Sequence, residues 1–173
     1  KIILSVNQMD DFKSIFREEI SIENFSNELN FEILDDFLNN NIFKAEKILG
    51  DFIKSINVII DSNEFFILKL SIKKSSHNDV IDSNILTYLL NDAKDQCDKS
   101  IENKKILHLL IDSYHLDNNS YSDLPIDLKC QNFSVDLRFI CLSINIIKKI
   151  EKVCKKYQIS TNKLLSAKYI NEF

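Results

Sequence analysis

The sequence predicts an α+β fold, on three observations. Three stretches carry apolar residues at helical spacing, several others are short and apolar or alternate at least in part, and from residue 70 onward these types run strand, helix, strand, strand, helix. At 173 residues, with 45% of them apolar, the chain is long enough to bury a core without disulfides or metals.

In chain order, residues 1–38 read as strand-like pieces. Lys1–Val6 is short and apolar, and Asp11–Ile22 and Leu29–Leu34 partly alternate. From Ile42 the period changes. Ala45, Ile48, Leu49, Phe52, Ile53, Ile56 and Ile60 share one helical face, while Lys44, Glu46, Lys47, Asp51 and Lys54 lie off it. Asn41 is the expected N-cap of this helix, and the run Asn39-Asn40-Asn41 reads as a turn made without glycine. Asp61-Ser62-Asn63 supplies the next turn. Phe65–Ile72, rich in Phe, Ile and Leu, suits a strand buried on both faces.

Lys73–Val80 is polar and linker-like. A second helix is expected over Ile81–Cys97, with Ile85, Leu86, Leu89, Leu90, Ala93 and Cys97 inward. Ile106–Leu116 reads as an apolar strand ended by Asp117-Asn118-Asn119-Ser120. Phe133, Val135, Leu137, Phe139 and Cys141 alternate with Ser134, Asp136, Arg138 and Ile140, as in a half-buried strand. A last helix, Ser143–Tyr157, turns Ile144, Ile147, Ile150 and Cys154 inward and its lysines outward.

Composition excludes several kinds of chemistry. Gly50 and Pro125 are the single glycine and proline, so no glycine-rich loop is present to let backbone approach a phosphate, and no G-x-S-x-G turn exists. Cys97, Cys130, Cys141 and Cys154 are scattered without C-x-x-C spacing and read as buried thiols in a reducing compartment. No run reaches the roughly 18 apolar residues of a membrane span and no signal peptide is visible, so a cytoplasmic location is expected. Charge is uneven: residues 129–173 hold nine basic and three acidic residues, a net +6, against −10 for the rest. Such a split favours self-association or an oppositely charged partner, although a solvated lysine face is the simpler reading.

The candidate site residues give no catalytic set. His108 and His115 share a strand, but a spacing of seven points them to opposite faces and argues against a shared metal. His77 lies alone in the polar stretch. The carboxylates Asp10-Asp11, Asp35-Asp36 and Asp112 pair with no Ser or His in a recognisable arrangement. The lysines of 148–156 suit a helix packed on its own sheet better than a membrane surface, which wants aromatic residues at the apolar margin. Nucleic acid is not expected, because the net charge is −4 and no aromatic–basic interleaving occurs.

A family resemblance enters with the longer segments. Ile106-Leu107-His108-Leu109-Leu110-Ile111-Asp112-Ser113-Tyr114-His115-Leu116-Asp117 resembles I-L-H-V-I-P-Q-E-Y-x-x-D of the bacterial cell-division actin homologue FtsA. Asp123-Leu124-Pro125-Ile126-Asp127-Leu128 falls where that family reads N/D-P-V-G-L/M. Phe133–Ile140 falls at L-x-V-x-V-H-L-I, Lys149–Cys154 at N-L-I-K-C-V, and Phe43–Lys74 is similar to the family's helix and following strand. The resemblance implies a partial actin-like (ribonuclease H-like) subdomain 1A over residues 1–74 and 143–173. Residues 75–142 would be the inserted strand-helix-strand-strand (SHS2-like) module 1C, with a shortened first strand.

The family binds ATP, polymerises, recruits the tubulin homologue FtsZ and tethers it to the membrane. Here the first phosphate loop would be Asn7-Gln8-Met9-Asp10, where Met9 blocks close backbone approach and Asp10 and Asp11 repel polyphosphate. The chain also stops near Phe173, short of the second phosphate loop, the FtsZ-binding surface and the membrane helix. The resemblance therefore implies a fragment or degenerate member that is not an enzyme. It would carry no nucleotide cofactor, metal or catalytic residue and insert no segment into the membrane. It would act as a divisome scaffold at the inner face of the membrane, contacting division proteins and itself, with FtsZ reached only through the missing parts. Its expected contact surfaces are the exposed side of helix Ile81–Cys97 and the free edges of the small sheet. Two other classes share these features: an ATP-binding actin-like or PilM-like assembly protein, and a stand-alone strand-helix-strand-strand binding module like those in RNA polymerase subunits.

Overall fold

The structure, a computed structural model, describes residues 1–8, 13–21, 29–75 and 80–171. Met9, Asp10, Asp11 and His77 lie outside the described residues. Helix and strand are mixed, as the α+β expectation requires. In chain order the elements are β1 (Ile2–Asn7), β2 (Ser14–Ile20), α1 (Phe31–Leu49), β3 (Ser55–Ile60), β4 (Phe66–Ser75), α2 (Ser83–Ser100), β5 (Lys104–Leu116), β6 (Asn119–Tyr121), β7 (Asn132–Ser143), α3 (Ile144–Lys156), β8 (Ser160–Ser166) and α4 (Ala167–Ile170). They form two compact units, Lys1–Glu64 with Asn145–Phe173, and Phe65–Ile144. The first break falls at 64/65 because β4 pairs along its whole length with β7 of the second unit, and the second at 144/145 because β7 stays in the sheet as far as Ser143, opposite Lys104.

In the first unit β1 and β2 pair antiparallel, burying Leu4 and Phe16, and α1 packs against both strands. This helix starts eleven residues before the expected one. Asn30, not Asn41, is the N-cap, its side chain accepting from the N–H groups of Glu32 and Ile33. Leu29–Leu34 is therefore not a strand. Phe37, Leu38, Asn41, Ile42 and Ala45 form the buried stripe, and the three consecutive asparagines lie mid-helix. Asn41 is buried there without loss because its Nδ2 donates to the carbonyl of Phe37 at 2.9 Å and its Oδ1 accepts from Lys44.

The far end of α1 also differs. Gly50 adopts φ 76° and its N–H donates to the Glu46 carbonyl, which closes the helix as a left-handed cap. Ile56 and Ile60, expected on the helix, belong instead to β3, where β-branched residues predominate. β3 pairs in parallel with β8, which arrives more than a hundred residues later.

In the second unit the sheet order is β4-β7-β5-β6, all antiparallel, with α2 on one face. Asp82 caps α2 by accepting from the Ile85 N–H at 2.8 Å. The inner face of the sheet is the predicted alternating set, Phe133, Val135, Leu137, Phe139 and Cys141, packed with Leu89, Ala93 and Cys97 of α2. Phe133 and Phe139 are fully buried, each contributing roughly 1.5–3 kcal/mol relative to an exposed ring. The Phe133 ring also stacks on Tyr114 at 6.4 Å between centroids.

Two details of this sheet differ from expectation. β4 is not buried on both faces; it ends the sheet and leaves Phe66 and Ile67 exposed. The turn after β5 is confined to Asp117-Asn118, and Asn119 and Ser120 pair back onto β5 as β6.

Candidate functional site

A cluster of polar side chains of the second unit lies on the sheet face opposite α2. β5 carries two bulges against β7, with Leu107 and Asp112 as the extra residues between the pairs Ile106↔Cys141 and His108↔Ile140, and Ile111↔Leu137 and Ser113↔Asp136. The bulge at Asp112 reverses the alternation. His108, opposite Ile140, and His115, opposite Ser134, therefore lie on the same face, where a spacing of seven had put them on opposite ones. Six residues of β7 still separate them, about 20 Å at strand rise, too far for one metal ion. His108 is buried, and burial lowers its pKa.

Asp136, on the central strand, is the hub. Its carboxylate accepts from the Ser71 hydroxyl of β4, from Ser113 of β5 at 3.1 Å, and from His115 Nε2 at 2.8 Å. Hydrogen bonding to the Ser71 hydroxyl, with that to His115 next, holds the Asp136 carboxyl below its ordinary range. One step along, Arg138 donates through Nε and Nη2 to Asp112 Oδ1 at 3.2 and 2.9 Å.

This cluster includes Ser, His and Asp, yet it is not wired as a nucleophile relay. A relay places the serine on one imidazole nitrogen and the carboxylate on the other. Here Ser113 Oγ, at 3.0 Å, and Asp136 both meet Nε2, and the serine proton is directed to the carboxylate. The arrangement ties β4, β7 and β5 together.

The sequence matches no protein-family model and no curated protein.

The remaining candidates are structural in their contacts. Asp35 accepts from Lys156, and the Tyr157 hydroxyl donates to its side chain at 2.8 Å and to its backbone carbonyl at 2.9 Å, which joins the end of α3 to α1. The Lys156 and then the Tyr157 hydrogen bonds lower the Asp35 pKa, while burial and then Asp35 push Tyr157 up to about 12. Lys149 lies 5.2 Å from the centroid of the Phe31 ring. The lysine face of α3 is thus partly engaged, and Lys148, Lys152 and Lys155 are exposed.

All four cysteines are buried thiols. Burial drives Cys141 up to about 12, with Cys97 in hydrogen-bond contact, so neither is poised as a nucleophile. Beyond the end of α3 a cavity of about 390 Å³ is lined by Glu151, Lys155, Gln158, Ile159, Ser160 and Thr161. Helix carbonyls point toward that end, which disfavours a phosphate. Among the described residues no helix is long and apolar enough to cross a membrane, and no group of three or more His, Cys, Asp or Glu is placed to hold a metal.

Sequence reasoning missed Ser71, Ser113 and Asp136. Ser113 and His115, two apart on a strand, are a legible same-face pair. Ser71, 65 residues from Asp136, had no local signal.

Proposed function

We propose that this chain is a cell-division scaffold of FtsA-like type that works by protein–protein contact and does no chemistry of its own. One observation supports this best. The segments that resemble FtsA fall in order on β5, β7 and α3, and the second unit runs strand, helix, strand, strand, with β6 as a short addition. On this reading Phe65–Ile144 plays the part of the inserted module and the first unit is a partial subdomain 1A. Its contact surfaces are the exposed side of α2, including Tyr88, and the free strand edges. Its place is the cytoplasmic side of the division site; its partners are division proteins and further copies of itself.

The test is the position of a fluorescent fusion in dividing cells of the source organism. A band at mid-cell that vanishes on FtsZ depletion is expected; a diffuse signal from a stable, full-length fusion would overturn the reading. Calorimetry with Mg-ATP should show no binding, and micromolar affinity would move the chain to the ATP-dependent assembly proteins.

A further inference from the structure

The β4 edge has features that define what it can receive. Its ten residues pair with β7 in unbroken register from Phe66↔Cys141 to Ser75↔Asn132, and among the described residues no strand lies along its other side. About half of its N–H and C=O groups therefore point outward, and among the described residues they make no other backbone hydrogen bond. No bulge interrupts this edge. Lys69 and Lys73 stand exposed on the same face, opposite Arg138 and Ser134, about 14 Å apart at strand rise. No acidic residue occurs between Phe65 and Ser75. On the α2 side the same edge offers Leu70, half-buried, and Ile72, buried.

Lysines on an edge repel a second copy of that edge. They attract a strand that brings carboxylates to the same two positions. We propose that β4 docks an extended acidic–apolar segment of a partner protein, added beside it as a further strand. Side-chain alternation sets the pattern of that segment. Carboxylates four residues apart face Lys69 and Lys73, apolar residues one step inside each face Leu70 and Ile72, and a small polar residue faces Ser71. Main-chain hydrogen bonds supply the affinity and the two lysines the selection. This rests on the interaction reading above and gives the partner its chemistry.

The test uses the whole chain and a fluorescent peptide containing Glu-Val-Thr-Val-Glu, read by anisotropy. Saturable binding is expected, weakened roughly tenfold in Lys69→Glu/Lys73→Glu, since two cross-strand charge pairs amount to about 1–2 kcal/mol. The double variant should instead prefer a Lys-Val-Thr-Val-Lys peptide, a gain that also shows it is folded. The acidic peptide N-methylated at alternate residues along one edge should not bind. No binding of the acidic peptide, equal binding to the double variant, or undiminished binding of the N-methylated peptide would each overturn the proposal. These outcomes are separate from the mid-cell test. A mid-cell band with no peptide binding removes the edge proposal alone, and peptide binding with a diffuse fusion supports the edge while removing the division role.

Discussion

Gln158 holds φ 59° just beyond α3, where its N–H donates to Lys155 O and the next N–H, of Ile159, reaches back to Cys154 O. That left-handed position strains any residue with a Cβ, and its side chain is exposed, so little is lost by removing it. Gln158→Gly should raise stability by about 0.5–1 kcal/mol, read as a higher denaturant midpoint. Asp136 makes a prediction in acid. Its folded pKa lies below the ordinary 3.8, so its contribution to stability is complete above that value and fades as pH falls through the lower folded value. Asp136→Asn should flatten the loss of stability below about pH 4 and change little near neutrality beyond a constant offset, checked by urea unfolding across that range. Neither feature is legible in the sequence. Gln158 is an unusual choice for a left-handed cap, and Asp136 reads as one polar residue among several until the sheet brings Ser71, Ser113 and His115 to it.

Helix faces were the most legible elements, because the contacts that define them are local. Leu89, Ala93 and Cys97 on α2, and Ile147, Ile150 and Cys154 on α3, are buried as their spacing predicts. The start of α1 was misread because asparagine suits a cap, a turn or a buried helical site equally, and only the apolar stripe from Phe37 to Ala45 decides among them. Asn30→Ala should therefore cost about 1 kcal/mol, whereas loss of a true cap at Asn41 would not touch the preceding turns. Circular dichroism with thermal unfolding tests the first change. Strand parity failed for a different reason. His108 and His115 count as opposite in sequence, but parity belongs to the ladder, and one bulge at Asp112 resets it. Burial of β4 was overestimated because composition cannot say whether a strand lies inside a sheet or at its end.

Across the whole molecule, the second unit depends on one strand. β7 lies between β4 and β5, and all five of its inward residues are fully or almost fully buried. Phe139→Ala should cost about 3–5 kcal/mol and speed amide exchange through residues 104–143, measured by mass spectrometry. The order of this unit's longer elements, strand, helix, strand, strand, was legible in the apolar patterning, whereas the short β6 carried no signal of its own. The pairing of β3 with β8 was not foreseen, since neither strand holds a mark of its partner.

That pairing gives the chain a timetable. Ser55 meets Ser160, so β3 leaves the ribosome about a hundred residues before the strand it joins. At 5–20 residues per second this is a wait on the order of 5–20 s. Meanwhile Phe65–Ile144, contiguous in sequence, emerges complete and is able to close its own core first. Translation thus delivers the contiguous unit before the split one can be finished, and a pause that lengthens the interval leaves β3 as an exposed apolar strand while chaperones compete for it.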